Sequence, residues 1–227
     1  MTAPRYLSLF SGAGGLDHGL DNAGWQCAGQ CEIDDTARSV LARHWPGVPR
    51  WTDVRDVAHP DVDGGRGPLA GAGRVTSSDR EGSDARPAWG DVDLIAGGFP
   101  CQDVSVAGRR AGLAGERSGL WWEFHRILES VRPRAVLVEN VEGLLSSNGG
   151  RDMGAIIEAL VDLGYGWAYR VLDAQHFGVP QRRRRVFLLA ILGGDPGAER
   201  AAQVLGSHPG RRRGSSGAPR HADGNSP

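Results

Sequence analysis

Apolar residues fall along this chain in short runs that stop at glycines, carboxylates or arginines, as buried parallel strands do where they open into loops. Tyr6-Leu7-Ser8-Leu9-Phe10 reads as a strand, Ser11-Gly12-Ala13-Gly14-Gly15 as a tight loop, and residues 16–23 as a helix ended by Gly24. A second apolar stretch, residues 25–31, stops at Glu32. Asp93-Leu94-Ile95-Ala96 is followed by Gly97-Gly98-Phe99-Pro100-Cys101-Gln102 and predicts a buried parallel strand that opens into a loop. Val136-Leu137-Val138 runs into Glu139-Asn140-Val141 in the same manner. A last apolar run, Val186-Phe187-Leu188-Leu189-Ala190, follows directly on Gln181-Arg182-Arg183-Arg184-Arg185. Strands of this kind alternating with helices predict an α/β fold, a mostly parallel sheet flanked by helices.

Two stretches break the pattern. Residues 60–90 are rich in Gly, Asp, Ser and Arg and separate two segments more widely than a compact α/β unit needs, so a flexible insertion is expected there. From Gly193 onward Gly, Pro, Ala, Arg and Ser dominate, which predicts a folded unit over 1–192 and a disordered tail over 193–227, with Arg211-Arg212-Arg213 its only concentrated charge.

Composition narrows the picture modestly. The chain's 227 residues suffice for one sizeable domain. Net charge is −1, so any attraction to nucleic acid has to come from local arginine patches. With no long apolar segment or secretory leader, no membrane association and a cytoplasmic location are expected. The three cysteines, Cys27, Cys31 and Cys101, offer no second close pair for zinc, and the odd count suits a reducing compartment.

The chemistry gathers where the strands end. In open α/β sheets ligands bind at the carboxyl edge, and Cys101 on a proline-stiffened turn is better placed there for nucleophilic attack than for packing. A small buried hydrophobe is its ordinary alternative. Glycines at 12, 14 and 15 allow a ligand close to the backbone, and Glu32 follows Gly12 at about the 20-residue interval where an acid meets a ribose. The loop lacks the GxGxxG spacing, so a nucleoside without phosphates fits at least as well, and a turn without a ligand remains open. Glu139 is a candidate proton donor at the same edge, or else a capping or solvated glutamate. In an extended segment Gln181, Arg183 and Arg185 share one face, while Arg182 and Arg184 take the other, toward solvent or a phosphate backbone. A solvated charge run is the bland reading of all four.

Taken in order, Leu9-Phe10-Ser11-Gly12-Ala13-Gly14-Gly15, Gly98-Phe99-Pro100-Cys101-Gln102, Glu139-Asn140-Val141 and Gln181 with Arg183 and Arg185 resemble the core motifs of the bacterial DNA cytosine-5 methyltransferases. Phe177-Gly178-Val179-Pro180 before Gln181 is also similar, and the resemblance runs from about Arg5 to Ile191. It implies a Rossmann-like methyltransferase fold, S-adenosylmethionine as donor and cytosine in double-stranded DNA as acceptor. By resemblance Cys101 is the thiolate that adds to carbon 6, Glu139 assists at N3, and Arg183 and Arg185 hold the base and favour the thiolate. Phe99, Pro100, Gln102, Asn140 and Gln181 would position the substrate, which must flip out of the duplex. Phe10, Gly12, Gly14, Glu32, Asp53, Val54 and Leu120 would hold the donor, with Asp56 competing with Asp53 and Trp121 accompanying Leu120. The family continues after the last of these motifs into a target-recognition domain, so the resemblance implies a truncated form or a separately encoded target-recognition subunit, and a cognate restriction endonuclease as a further partner. Three other readings fit parts of the pattern: a remnant that binds donor or DNA without turnover, an RNA cytosine-5 methyltransferase, and a nicotinamide dehydrogenase.

Overall fold

In the computed structural model the described residues are 2–57, 91–100 and 119–206. The insertion expected at 60–90, together with Cys101, Gln102 and residues 207–227, lies outside them.

The apolar runs do become strands. β1 (Arg5–Leu9), β2 (Gln26–Cys31), β3 (Arg50–Trp51), β4 (Leu94–Gly97), β5 (Ala135–Val141), β6 (Tyr165–Asp173) and β7 (Arg184–Leu192) form one seven-stranded sheet in the order β3-β2-β1-β4-β5-β7-β6. The first five are parallel to one another. From β1 the chain steps outward to β2 and β3 on one side, then crosses to β4 and β5 on the other. The order therefore reverses between β1 and β4, the place where open α/β sheets hold ligands beyond their carboxyl ends.

Side-chain alternation divides the two faces. Leu7, Leu9, Ile95, Val136 and Val138 join the main core with α3 (Leu120–Val131) and α4 (Arg151–Asp162), which contribute Trp121, Phe124, Ile127, Leu128, Ile156 and Leu160. On the other face Tyr6, Leu94 and Ala96 receive Leu16 and Leu20 of α1 (Gly15–Asn22). Helix α2 (Asp35–His44) is opened by Asp34, whose carboxylate accepts from Ala37 N at 2.7 Å.

β7 is antiparallel to both β5 and β6. Its first residues therefore lie at the edge where the parallel strands end: Arg185 stands opposite Val141, and Arg184 opposite Asp173. That reversal explains why four arginines can precede an apolar strand and still stand at the edge where the parallel strands end.

The tail expected from Gly193 is corrected in its first part. Residues Gly194–Leu205 form α5, which buries Ala198, Ala201 and Ala202 against Ala168 and Leu189. Small residues that look like disorder in the sequence are there because the helix sits almost on the strand backbone: a Cβ on Gly166 would collide with Gly194 O and Ala198 N, and one on Gly197 with Ile191 O.

Burial also marks the end of β2. Desolvation, reinforced by Asp53, Glu32 and Asp56, pushes the Cys31 thiol up to about 12 from 9.0, and Cys27 rises similarly through burial and Asp17. A thiol whose pKa is higher folded than unfolded contributes its full stability below the unfolded value and loses it as pH climbs through the folded one. Urea-unfolding free energy is therefore expected to be level with respect to these thiols up to about pH 9 and to fall toward pH 12. In Cys27→Ala/Cys31→Ala that fall should be shallower; an identical pH profile would contradict the assignment.

Candidate active site

The glycine loop after β1 is wound in left-handed backbone. Phe10 has φ 55°, Gly12 56° and Gly14 85°, and the strained Phe10 is of the kind that clusters at ligand sites. Gly14 cannot carry a side chain, because a Cβ would lie 2.6 Å from the Trp45 ring. Glu32 closes the loop from the end of β2: its carboxylate accepts from Gly12 N at 2.7 Å and from Asp34 N at 2.9 Å, while Arg38 bonds its carbonyl. The glutamate and the loop that sequence spacing associates are thus joined by a hydrogen bond.

A buried polar chain lies beneath this loop. Ser11 Oγ donates to Ser8 Oγ at 2.9 Å, Ser8 Oγ donates to the Asp17 carboxylate at 2.9 Å, and Gln30 Nε2 donates to Asp17 at 3.0 Å. Arg50 Nε then donates to Gln30 Oε1 at 3.0 Å. Asp17 is completely buried, and desolvation raises its pKa against the lowering effect of Gln30 and Ser8. The chain fixes the root of the loop to β2 and α1. Sequence reasoning missed it, because the polar residues at 8, 17 and 30 meet only in the folded sheet.

Across the switch point, β4 ends at Gly97 and leads into Gly98-Phe99-Pro100. Phe99 is buried between Trp121 and Phe124, with ring centroids at 5.2 and 6.3 Å, and Pro100 is exposed. Asn140 Nδ2 donates to Phe99 O at 2.9 Å and ties this segment to β5. Beside it Glu139, partly exposed, pairs with Arg185 Nε at 3.1 Å and with an Arg183 nitrogen at 3.9 Å. The remaining oxygen faces Gly98, where a Cβ would stand 3.0 Å from Glu139 Oε2. Arg184 turns the other way, to Glu142 at 2.7 Å. The alternation expected of 181–185 thus holds for Arg183, Arg184 and Arg185, whereas Gln181 sits exposed in the bend before β7. Arg182 and Arg184 line a shallow cleft of about 310 Å³ with Asp173, Gln175 and His176.

The segment after β3 completes the edge. Asp53 caps a 3-10 turn over Val54–Asp56 by accepting from Arg55 N at 2.9 Å, and it pairs with the Arg55 guanidinium at 3.1 Å. Val54 is buried in the main core, and Leu120 packs against that core half-buried. Trp121, a suggested companion of Leu120, is completely buried between Phe99 and Phe124; here ordinary helix packing explains it. Cys101 and Gln102 follow Pro100 in sequence and lie outside the described residues.

A carboxylate held by two guanidinium groups at one side of a reversal crevice, and a glycine loop closed by a second carboxylate at the other, can bind a polar planar group and a nucleoside side by side. Comparison with known proteins bears on the family of the chain and on its fold. The model of the family described as C-5 cytosine-specific DNA methylase matches residues 5–203. The Type II methyltransferase M2.BsuMI of Bacillus subtilis (strain 168) is 38% identical over 196 residues, covering 85% of this chain and 43% of that protein. M.BanI of Aneurinibacillus aneurinilyticus is 31% identical, covering 85% and 39%. The chain thus spans about two-fifths of the length of these curated relatives. Among solved structures, a putative DNA modification methyltransferase from an Escherichia coli prophage superposes with TM-score 0.60 at 23% identity, over 84% of this chain and 47% of that one. A Spodoptera frugiperda DNMT2 mutant gives 0.59 at 20%, over 84% and 50%. At these identities the structures speak to the fold alone.

Proposed function

Because the chain belongs to the C-5 cytosine-specific DNA methylase family, we propose that it methylates carbon 5 of cytosine in double-stranded DNA, with S-adenosylmethionine as the donor. The observation that carries this reading is the Glu139 carboxylate paired with Arg185 and Arg183 beside the Phe99-Pro100 segment that follows β4, the strand next to the one that opens into the Glu32-closed loop.

The residues present suit such a donor. Phe10, Gly12 and Gly14 wind the loop so that backbone can approach a ligand, the space where a Gly12 Cβ would stand is open, and Glu32 stands ready for ribose hydroxyls. Asp53, Val54 and Leu120 would form the nucleoside wall. Bound there, S-adenosylmethionine supplies an electrophilic methyl group. The chain's own part is to make carbon 5 of cytosine nucleophilic. Cys101 adds to carbon 6 as a thiolate while Glu139, hydrogen-bonded at N3, limits the negative charge that develops on the ring. Arg185 and Arg183 hold Glu139 and the base through fixed donors. After carbon 5 takes the methyl group, its proton is removed and the thiolate is eliminated across the carbon 5–carbon 6 bond. Phe99, Pro100, Gln102, Asn140 and Gln181 position the flipped base. A base-reading partner subunit, a cognate endonuclease of the Type II kind named for the relatives, and a cytoplasmic setting belong to the same proposal.

Tritiated methyl transfer to a mixed-sequence duplex, and to RNA of the same sequence, tests it with the base-reading partner subunit added, since the chain alone is expected to transfer little. Label recovered as 5-methylcytosine in the duplex is the expected result. Label only in RNA, or donor binding without transfer to either, would replace this reading with one of its rivals. Gly98→Ala is expected to crowd Glu139 and lower transfer roughly tenfold, since overpacking costs about 1–3 kcal/mol. An unchanged rate would show that Glu139 has room to move.

A further inference from the structure

The turn after β3 is capped at both ends, and the second cap comes from the far side of the chain. At the first end the Asp53 carboxylate accepts from Arg55 N. At its other end Nη2 of Arg126, on α3, donates to the carbonyls of Val57 at 3.0 Å, Val54 at 3.3 Å and Arg55 at 3.5 Å. Arg126 Nε donates to Glu123 at 2.9 Å, one turn back along the helix, so the guanidinium is itself aimed. Val54 O also accepts from Val57 N within the turn, while Arg126 also reaches the carbonyls of Arg55 and Val57, which one planar guanidinium can span in a way a lysine's compact ammonium cannot.

We propose that Arg126 is a positioning residue for the donor nucleoside: it sets the turn that presents Asp53 and Val54, and so governs how tightly and selectively an adenosyl group is held. This role rests on the reading of that turn as a donor contact. The same helix grips the other half of the crevice, because Trp121 and Phe124 enclose Phe99, two residues before Cys101. One helix therefore fixes the spacing between the nucleoside turn and the end of β4.

The test is calorimetric binding of S-adenosylhomocysteine and of S-inosylhomocysteine, which replaces the adenine amino group by oxygen, to the full chain and to Arg126→Met. The variant is expected to bind the adenosyl ligand roughly ten- to hundred-fold more weakly, the loss associated with a charged hydrogen-bond donor. Its preference over the inosyl ligand should shrink toward one, and Arg126→Lys should recover only part of it. Amide exchange at Asp56 and Val57, both hydrogen-bonded within the turn, should accelerate in the free variant more than exchange in α4. Equal weakening of both ligands, unchanged affinity, or unchanged exchange at Asp56 and Val57 would overturn the role. A wild-type chain that binds neither ligand would instead overturn the reading of the turn as a donor contact, and this role with it. Should Arg126→Met fail to fold, Glu123→Gln releases the guanidinium without removing it and should shift the same measurements in the same direction by less.

Discussion

With S-adenosylmethionine and any required partner subunit present, a duplex carrying 5-fluorocytosine at target positions is expected to become covalently attached to the wild-type chain and to remain free with Cys101→Ser. In Glu139→Gln, methyl transfer should fall by about 10²–10⁴-fold, the usual contribution of a positioned acid–base group. The trap works because, once carbon 5 has taken the donor's methyl group, the fluorine there cannot leave as a proton does, so the thiolate bound at carbon 6 is not eliminated. A serine hydroxyl is far less nucleophilic than a thiolate at neutral pH. For Glu139 the argument is geometric. Its carboxylate is bound through one oxygen by Arg185 and Arg183, and the other faces Gly98, just past the end of β4. Glutamine preserves the shape but carries neither the charge those arginines hold nor a transferable proton. Glu142→Gln is the matched control, since it frees only Arg184 on the opposite face, and its rate should stay within about twofold, as expected for an exposed pair. Attachment to Cys101→Ser at the wild-type level, or equal losses in Glu139→Gln and Glu142→Gln, would move the chemistry elsewhere.

What the sequence made legible was whatever local pattern decides. β1, its glycine loop, β4 and β5 follow from short apolar runs broken by glycine or a carboxylate, and strand-like alternation separates Arg183 and Arg185 from Arg184; that the first two meet Glu139 and the third Glu142 is seen only in the fold. The direction of β7 was not legible, since an apolar run has no sense of parallel or antiparallel. Arg126 was invisible for another reason: its carbonyl partners are 69 to 72 residues away in the chain. Asp17 reads as one more helix-surface acid until the sheet brings Ser8 and Gln30 onto it. Residues 194–205 misled in the opposite sense, because glycine and alanine there record a close approach of backbones and not a lack of structure.

That close approach carries the second large expectation. Gly166→Ala and Gly197→Ala should each lower the unfolding free energy by about 2–4 kcal/mol, at or somewhat above the usual cost of overpacking, because the added methyl meets main chain and not a side chain that can rotate away. A Cβ on Gly166 would strike Gly194 O and Ala198 N, and one on Gly197 would strike Ile191 O, so either forces α5 off β6 and β7. Once the helix has lifted, the second methyl meets little further resistance. The double variant should therefore cost clearly less than the sum of the two singles. β7 carries Arg185 at its other end, so donor and DNA chemistry should survive at temperatures where the variants remain folded. Urea titration of the three variants decides it. Additive losses, or losses under about 0.5 kcal/mol, would mean that α5 is not seated on the sheet through these two glycines.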